Sequence, residues 1–242
     1  MVTILFSLLV AGIYSWMFSG LRRVLVRTSW TPERQLRVFF RTLAAVVAWA
    51  VLLGGLALAG FFANYNALPP RIPLSMLVPL AALFVILFSR GGKELLQVMP
   101  PHWPVYAQSI RIGVELVIFL AVVNKMMPVQ LSFEGRNFDV LTGVLAIPVG
   151  YYVFVAKRWP TWVAVGYHIM GMGLLVNVLA ISFLSMPTPL RVFHNEPANT
   201  LITGFPFVYL PGMLVPLAFG LHIISLRQLS LYWKVAALSI LR

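Results

Sequence analysis

Cysteine is absent from all 242 residues, which excludes disulfides, thiolate nucleophiles and Cys-ligated zinc or iron–sulfur centres and leaves redox compartment open. Acids are almost as scarce. Glu33, Glu94, Glu115, Glu134, Asp139 and Glu196 stand against 18 Lys and Arg. Only 10% of residues are charged while 60% are hydrophobic, whereas soluble domains carry about a quarter charged residues. That balance excludes most soluble classes. With four scattered His and no diagnostic ligand spacing, no metal site is expected, His194 with Glu196 and Asp139 being the only set worth weighing.

What the chain has instead is apolar runs. Spans are read near 2–19, 42–62, 73–89, 106–124, 139–156, 161–184 and 201–226. Seven spans of roughly 20 residues use about 140 positions and leave little for a soluble part. The expected fold is therefore all-α: a polytopic membrane helix bundle of seven transmembrane helices, residues 1–242 forming one transmembrane domain. The first run lacks a basic n-region and an A-x-A-like site, so it reads as a retained span and not a signal peptide.

The basic residues give an orientation. Thirteen of the 18 (Arg22, Arg23, Arg27, Arg34, Arg37, Arg41, Arg90, Lys93, Lys157, Arg158, Arg227, Lys234 and Arg242) fall on one side, while Arg71, Lys125, Arg136 and Arg191 fall on the other. The positive-inside rule then puts the N-terminus outside and the C-terminus in the cytoplasm. The net charge of +12 reads as topology and contact with anionic membrane lipids, not as nucleic-acid binding. Thr31-Pro32-Glu33 supplies an N-cap, a first-turn Pro and a first-turn acid, so the second helix starts well before the hydrocarbon. The tail 228–242 reads as an interfacial helix anchored by Tyr232, Trp233 and Lys234. The Trp residues as a group fall in the cytoplasmic half, as an interfacial belt would.

Ionisable groups inside a bilayer cost at least about 2.5–3.5 kcal/mol on insertion scales, so those present should be paired or line water. Gln108, Arg111 and Glu115 share one face of the fourth span, and Arg111 with Glu115 has i,i+4 spacing. They form either a salt bridge holding the helix in place or a coupling site built on Glu115. A second concentration lies in the two outer loops. Glu134, Arg136, Asn137 and Asp139 precede the fifth span, and Arg191, His194, Asn195 and Glu196 precede the seventh. These loops are read either as a clasp whose charges cancel or as a ligand-binding vestibule, with Arg for anions and carboxylates for cations.

Span seven carries Pro206, Pro211 and Pro216, which remove helix hydrogen bonds and make it the best candidate wall of a pocket; Pro148 and Gly150 can bend span five in the same way. His168 and His222 lie at matching depth. Two hydrogen-bonded interfacial histidines or a bis-His haem would both fit that spacing. Asn177 needs an interhelical partner, and Gly54, Gly55, Ala59, Gly166, Gly171 and Gly173 permit close helix approach.

Three seven-helix designs do not fit. A retinal protein needs Lys in the last span; a two-repeat sugar transporter needs matching polar positions in the two halves; a zinc lipid hydrolase needs His and acids converging at one depth. The segments Ser132–Asp139 and Pro187-Thr188-Pro189 through Asn195-Glu196-Pro197, with the Pro-rich last span ending in His222, make the second half similar to a group of bacterial polytopic inner-membrane proteins without an assigned activity. The resemblance implies a multi-pass protein of the bacterial inner (cytoplasmic) membrane and transfers no site. The function expected is binding of a small polar or ionic ligand from the extracytoplasmic side, for transport or sensing. Two alternatives stay open: a non-catalytic subunit docking membrane-protein partners or a second copy of itself, and a lipid-processing enzyme using Glu134, Asp139, Glu196 and His194.

Overall fold

The computed structural model describes residues 1–67 and 70–240, residues 233–240 by backbone alone, and every regular element among the described residues is helical. In chain order these are α1 (Val2–Leu25), α2 (Pro32–Leu58), α3 (Ile72–Phe88), α4 (Arg90–Val98), α5 (Trp103–Ala107), α6 (Ile110–Val123), α7 (Val140–Val149), α8 (Thr161–Leu184) and α9 (Val215–Ile240). Wide π-helical turns continue α7 through Gly150–Val155 and lead into α9 over Leu210–Leu214. Five helices are long and apolar enough to cross a membrane: α1, α2, the α5–α6 run, α8 and the stretch Leu210–Tyr232. α3 is apolar but meets α4 at 79°.

Local chemistry sets the ends. Thr31 caps α2 by accepting from the Arg34 amide, with Pro32 and Glu33 in the first turn, as the sequence predicts. At the other end Gly60 takes φ 72°, which a residue with a Cβ adopts only at a cost, and closes the helix by donating to Ala57. Ser89 caps α4 by accepting from Gly92. This helix lies outside the apolar spans, and its polar first turn hides a one-sided pattern in which Leu96 is buried.

α9 with its π turn forms the centre of the bundle: 56% of the Leu210–Tyr232 window is buried against 6% for α2, which lies at the periphery. α3, α4, α5 and α8 pack around α9, and α6 lies between α1 and α7. The outward faces of α1, α2 and α3 are apolar, with Leu8, Val51, Leu58 and Val85 exposed.

The proline expectation for the last span holds in kind and shifts in place. Residues 204–208 are not helical, so the wide turn that leads into the last helix begins at Leu210 and not at 201. Pro216 has no N–H for the Gly212 carbonyl, and that oxygen accepts from the Trp49 indole at 2.9 Å. Tyr14 Oη donates to Met213 O at 3.1 Å. Trp49 is thus an anchor inside the bundle and not part of an interfacial belt. With no Gly or Pro after Gly220, α9 runs on unbroken to Ile240, so residues 228–240 continue the helix of the last span. Trp233 and Lys234 lie outside the described side chains.

Outside these spans, the Trp30 indole and the Ser29 hydroxyl donate to Glu94 and hold its carboxyl below its ordinary value of 4.5. A depressed folded-state value means a stabilisation present above 4.5 and lost as pH falls through the folded value. Between pH 6 and 3, about those limits, the unfolding midpoint of the wild type should therefore fall more steeply than that of Glu94→Gln; parallel curves would show that the contact is inert.

Candidate functional site

The loop between α6 and α7 does not stay at the surface. A Cβ on Gly143 would sit 3.1 Å from Ile112 N, and one on Gly150 would sit 2.5 Å from the Tyr106 ring, so α7 runs antiparallel to α5–α6 in close register. That register places Asp139 beside residues 115 and 116, about 10 Å short of Val123 at ~1.5 Å per residue. The loop therefore dips into the bundle and delivers Asn137 and Asp139 to the polar face of α6.

There Arg111 Nη1 donates to Asp139 Oδ1 at 2.7 Å, with both side chains buried. Asn137 Nδ2 donates to Glu115 Oε1 and Oε2 at 2.8 and 2.9 Å and to Leu131 O at 2.9 Å. Asn137 Oδ1 accepts from the Asp139 amide, fixing the turn between them. The expected Arg111–Glu115 pair is thus corrected. Local spacing permits it, but the entering loop supplies a better-placed carboxylate for the guanidinium and an amide for Glu115. Gln108, the third member of the face, donates to Ala218 O at 3.1 Å.

A cavity of about 70 Å³ lies against this cluster, between α6, α8 and the kinked start of α9. Arg111, Glu115 and Asp139 form its polar wall with Ser182; the remainder is aliphatic, including Ile118, Leu175, Pro211 and Leu214. Such a volume holds a few waters or a short alkyl group. The Pro-bent helix is indeed a pocket wall, as its sequence suggests.

The other outer-loop residues do not join this site. Arg191 pairs with Glu196 at 2.9 Å within one loop and also donates to Phe193 O and Asn195 O. Asn195 donates to Gln130, which donates to Ser185, and Arg136 lies over the Phe193 ring at 5.3 Å. Asn177 finds its partner in Arg136 O. Glu134 and His194 are exposed, and neither side chain hydrogen-bonds to another described residue. The two loops therefore meet as a clasp, through amides and an arginine–aromatic contact in place of the cancelling charges expected. A seam of this kind leaves Asp139 as the member of the vestibule set that lines the cavity, with Asn137 buried against Glu115.

A second polar group lies on α8 and α9. His168 and His222, both fully buried, meet Nδ1 to Nδ1 at 2.8 Å, and His168 Nε2 meets Ser225 Oγ at 2.7 Å. The reading of two hydrogen-bonded histidines at matching depth holds, and both rings are fully buried within the bundle. Direct contact corrects the bis-His haem reading, since an iron between two axial nitrogens needs about 2 Å to each. Gly171 allows the approach: a Cβ there would lie 2.5 Å from His222 Cε1. Thr142, Tyr167 and Ser225 were missed as members of this region. Tyr167 donates to Thr142 O at 2.9 Å, and the one sequence signal was Ser225 following His222 by one helical turn.

Comparison of the chain with family models, with curated proteins and with solved structures found no match in any of the three.

Proposed function

We propose that this is a seven-span protein of the bacterial cytoplasmic membrane, N-terminus outside and C-terminus inside, that binds a small cation with an apolar body for transport or sensing. Five long apolar helices support membrane insertion. The two short ones are compatible with spanning: α3 has 17 residues, the lower end of the usual range, and α7 is shortened because its loop descends to meet it. The bias of basic residues supports the orientation.

The observation that carries the ligand reading is Glu115. Arg111 is matched by Asp139, whereas among the described residues Glu115 accepts hydrogen bonds from the Asn137 amide and from no cation, on the polar wall of a cavity whose remaining lining is aliphatic. A buried carboxylate without a counter-ion takes up a proton or a cation. A short organic cation satisfies both halves of the site, its ammonium at Glu115 and its alkyl part among Ile118, Leu175 and Leu214.

The test is binding of radiolabelled n-butylammonium to protein in lipid nanodiscs. Glu115→Gln keeps the acceptor for Asn137 and should fold, yet should weaken binding at least tenfold, about 1.4 kcal/mol per decade. Butyrate should not compete. Equal binding by the variant would rule the carboxylate out as the recognition element.

A further inference from the structure

Several buried polar atoms between the carboxylate cluster and the histidine pair have no partner among the described residues: Gln108 Oε1, Arg111 Nε and Nη2, Thr142 Oγ1 and His222 Nε2. Their residues are at most 3% exposed. They come from the α5–α6 turn, α6, α7 and α9, at one level. Gln108 is bound to Ala218, one turn before His222 on α9; Arg111 packs on Gly143, next to Thr142; and the Cβ position of Gly171 lies within 2.8 Å of both His222 Nε2 and Thr142 Cγ2. Donors and acceptors are mixed, since the guanidinium edge only donates, the amide oxygen only accepts and the hydroxyl does both. Leaving them all dry would be costly, and bound water removes that cost.

We infer that Gln108, Arg111, Thr142 and His222 enclose a hydration site that joins the Glu115–Asp139 cluster to the histidine pair as a proton path through the bundle. This does not depend on what occupies the cavity. The Nδ1–Nδ1 contact forces the two neutral rings into opposite tautomers, because one nitrogen must donate and the other accept. In one state His222 Nδ1–H donates to His168 Nδ1, and His168 Nε2–H donates to Ser225. A water proton arriving at His222 Nε2 sends the Nδ1 proton of His222 across to His168 Nδ1, and the Nε2 proton of His168 leaves to Ser225 Oγ, whose own proton passes onward. One proton enters, one leaves, and both rings are neutral before and after. Beyond Ser225 the buried Gln228 Oε1 is again without a partner among the described residues, next to the Leu96 and Met99 carbonyls that its amide holds. The groups facing His222 are His168 and Tyr167 from α8, Arg111 from α6 and Thr142 from α7.

Proton uptake into dye-loaded proteoliposomes under a valinomycin-set potassium potential tests this. Wild-type protein should carry protons above empty vesicles, His222→Gln should lose at least tenfold, Thr142→Val about threefold, and Glu94→Gln, off the path, nothing. Wild-type flux equal to that of empty vesicles, or undiminished flux in His222→Gln, would overturn the path. Should His222→Gln fail to fold, 15N spectra of the wild-type histidines decide. One buried ring protonated at Nδ1 and its partner at Nε2 supports the relay; two rings of the same tautomer refute it.

Discussion

Asp139→Ala is expected to lower the unfolding midpoint by about 10 °C, the largest effect of any single carboxylate. Arg111 would keep a full charge in a buried setting where Asp139 supplies the ion pair, and breaking one side of such a pair costs about 3–5 kcal/mol. The double substitution Arg111→Met with Asp139→Leu should regain most of that loss, because it removes the stranded charge along with its partner. Differential scanning fluorimetry in detergent reads both. A midpoint for Asp139→Ala within about 2 °C of wild type would mean that water already solvates the guanidinium and that the pair contributes little.

Gly135→Ala should be nearly as damaging, for a steric reason. The added methyl would lie 2.4 Å from Val129 O and 2.5 Å from Gln130 Cα, both backbone atoms that no rotamer change can move. Overpacking of this kind costs about 1–3 kcal/mol, and rigid neighbours place it at the upper end. The segment displaced holds Gln130, which joins the loops, and leads into Asn137 and Asp139. Butylammonium binding should therefore fall at least tenfold together with stability. Gly166→Ala is the contrasting case: no atom lies within 4 Å of its Cβ position, and a mid-helix Ala should add about 0.5–1 kcal/mol. Unchanged binding in Gly135→Ala would show that the loop can re-close around a side chain.

Where single residues dictate the backbone, the amino-acid sequence was easy to read. Thr31-Pro32 starts α2, the apolar run 161–184 is α8, and Pro148, Pro211 and Pro216 mark the bends of α7 and α9. The polar face of α6 followed from helical spacing alone. What it touches did not, because the partner of Arg111 lies 28 residues away on a loop whose descent depends on Gly143 and Gly150 fitting against Ile112 and Tyr106. Asn137 and Asp139 therefore looked like members of a surface vestibule. The histidine pair was legible as two hydrogen-bonded residues because depth is additive along a helix, whereas the closeness of the contact is decided by a missing methyl at Gly171. The start of the last helix was misplaced because Phe205-Pro206-Phe207-Val208 is as apolar as the helix that follows it.

The wide turns at Gly150–Val155 and Leu210–Leu214 lengthen the hydrogen-bonded ring, as in the Ala156 amide reaching Tyr151 O. Each such turn adds a fraction of a revolution to everything downstream. The compass bearing of Ala218, His222 and Ser225 is thus set ahead of them, by the turn that the prolines interrupt. A side chain on the first half of α9 owes its neighbours to a phase offset introduced just before the helix, so the cavity wall and the histidine contact are two readings of the same rotation.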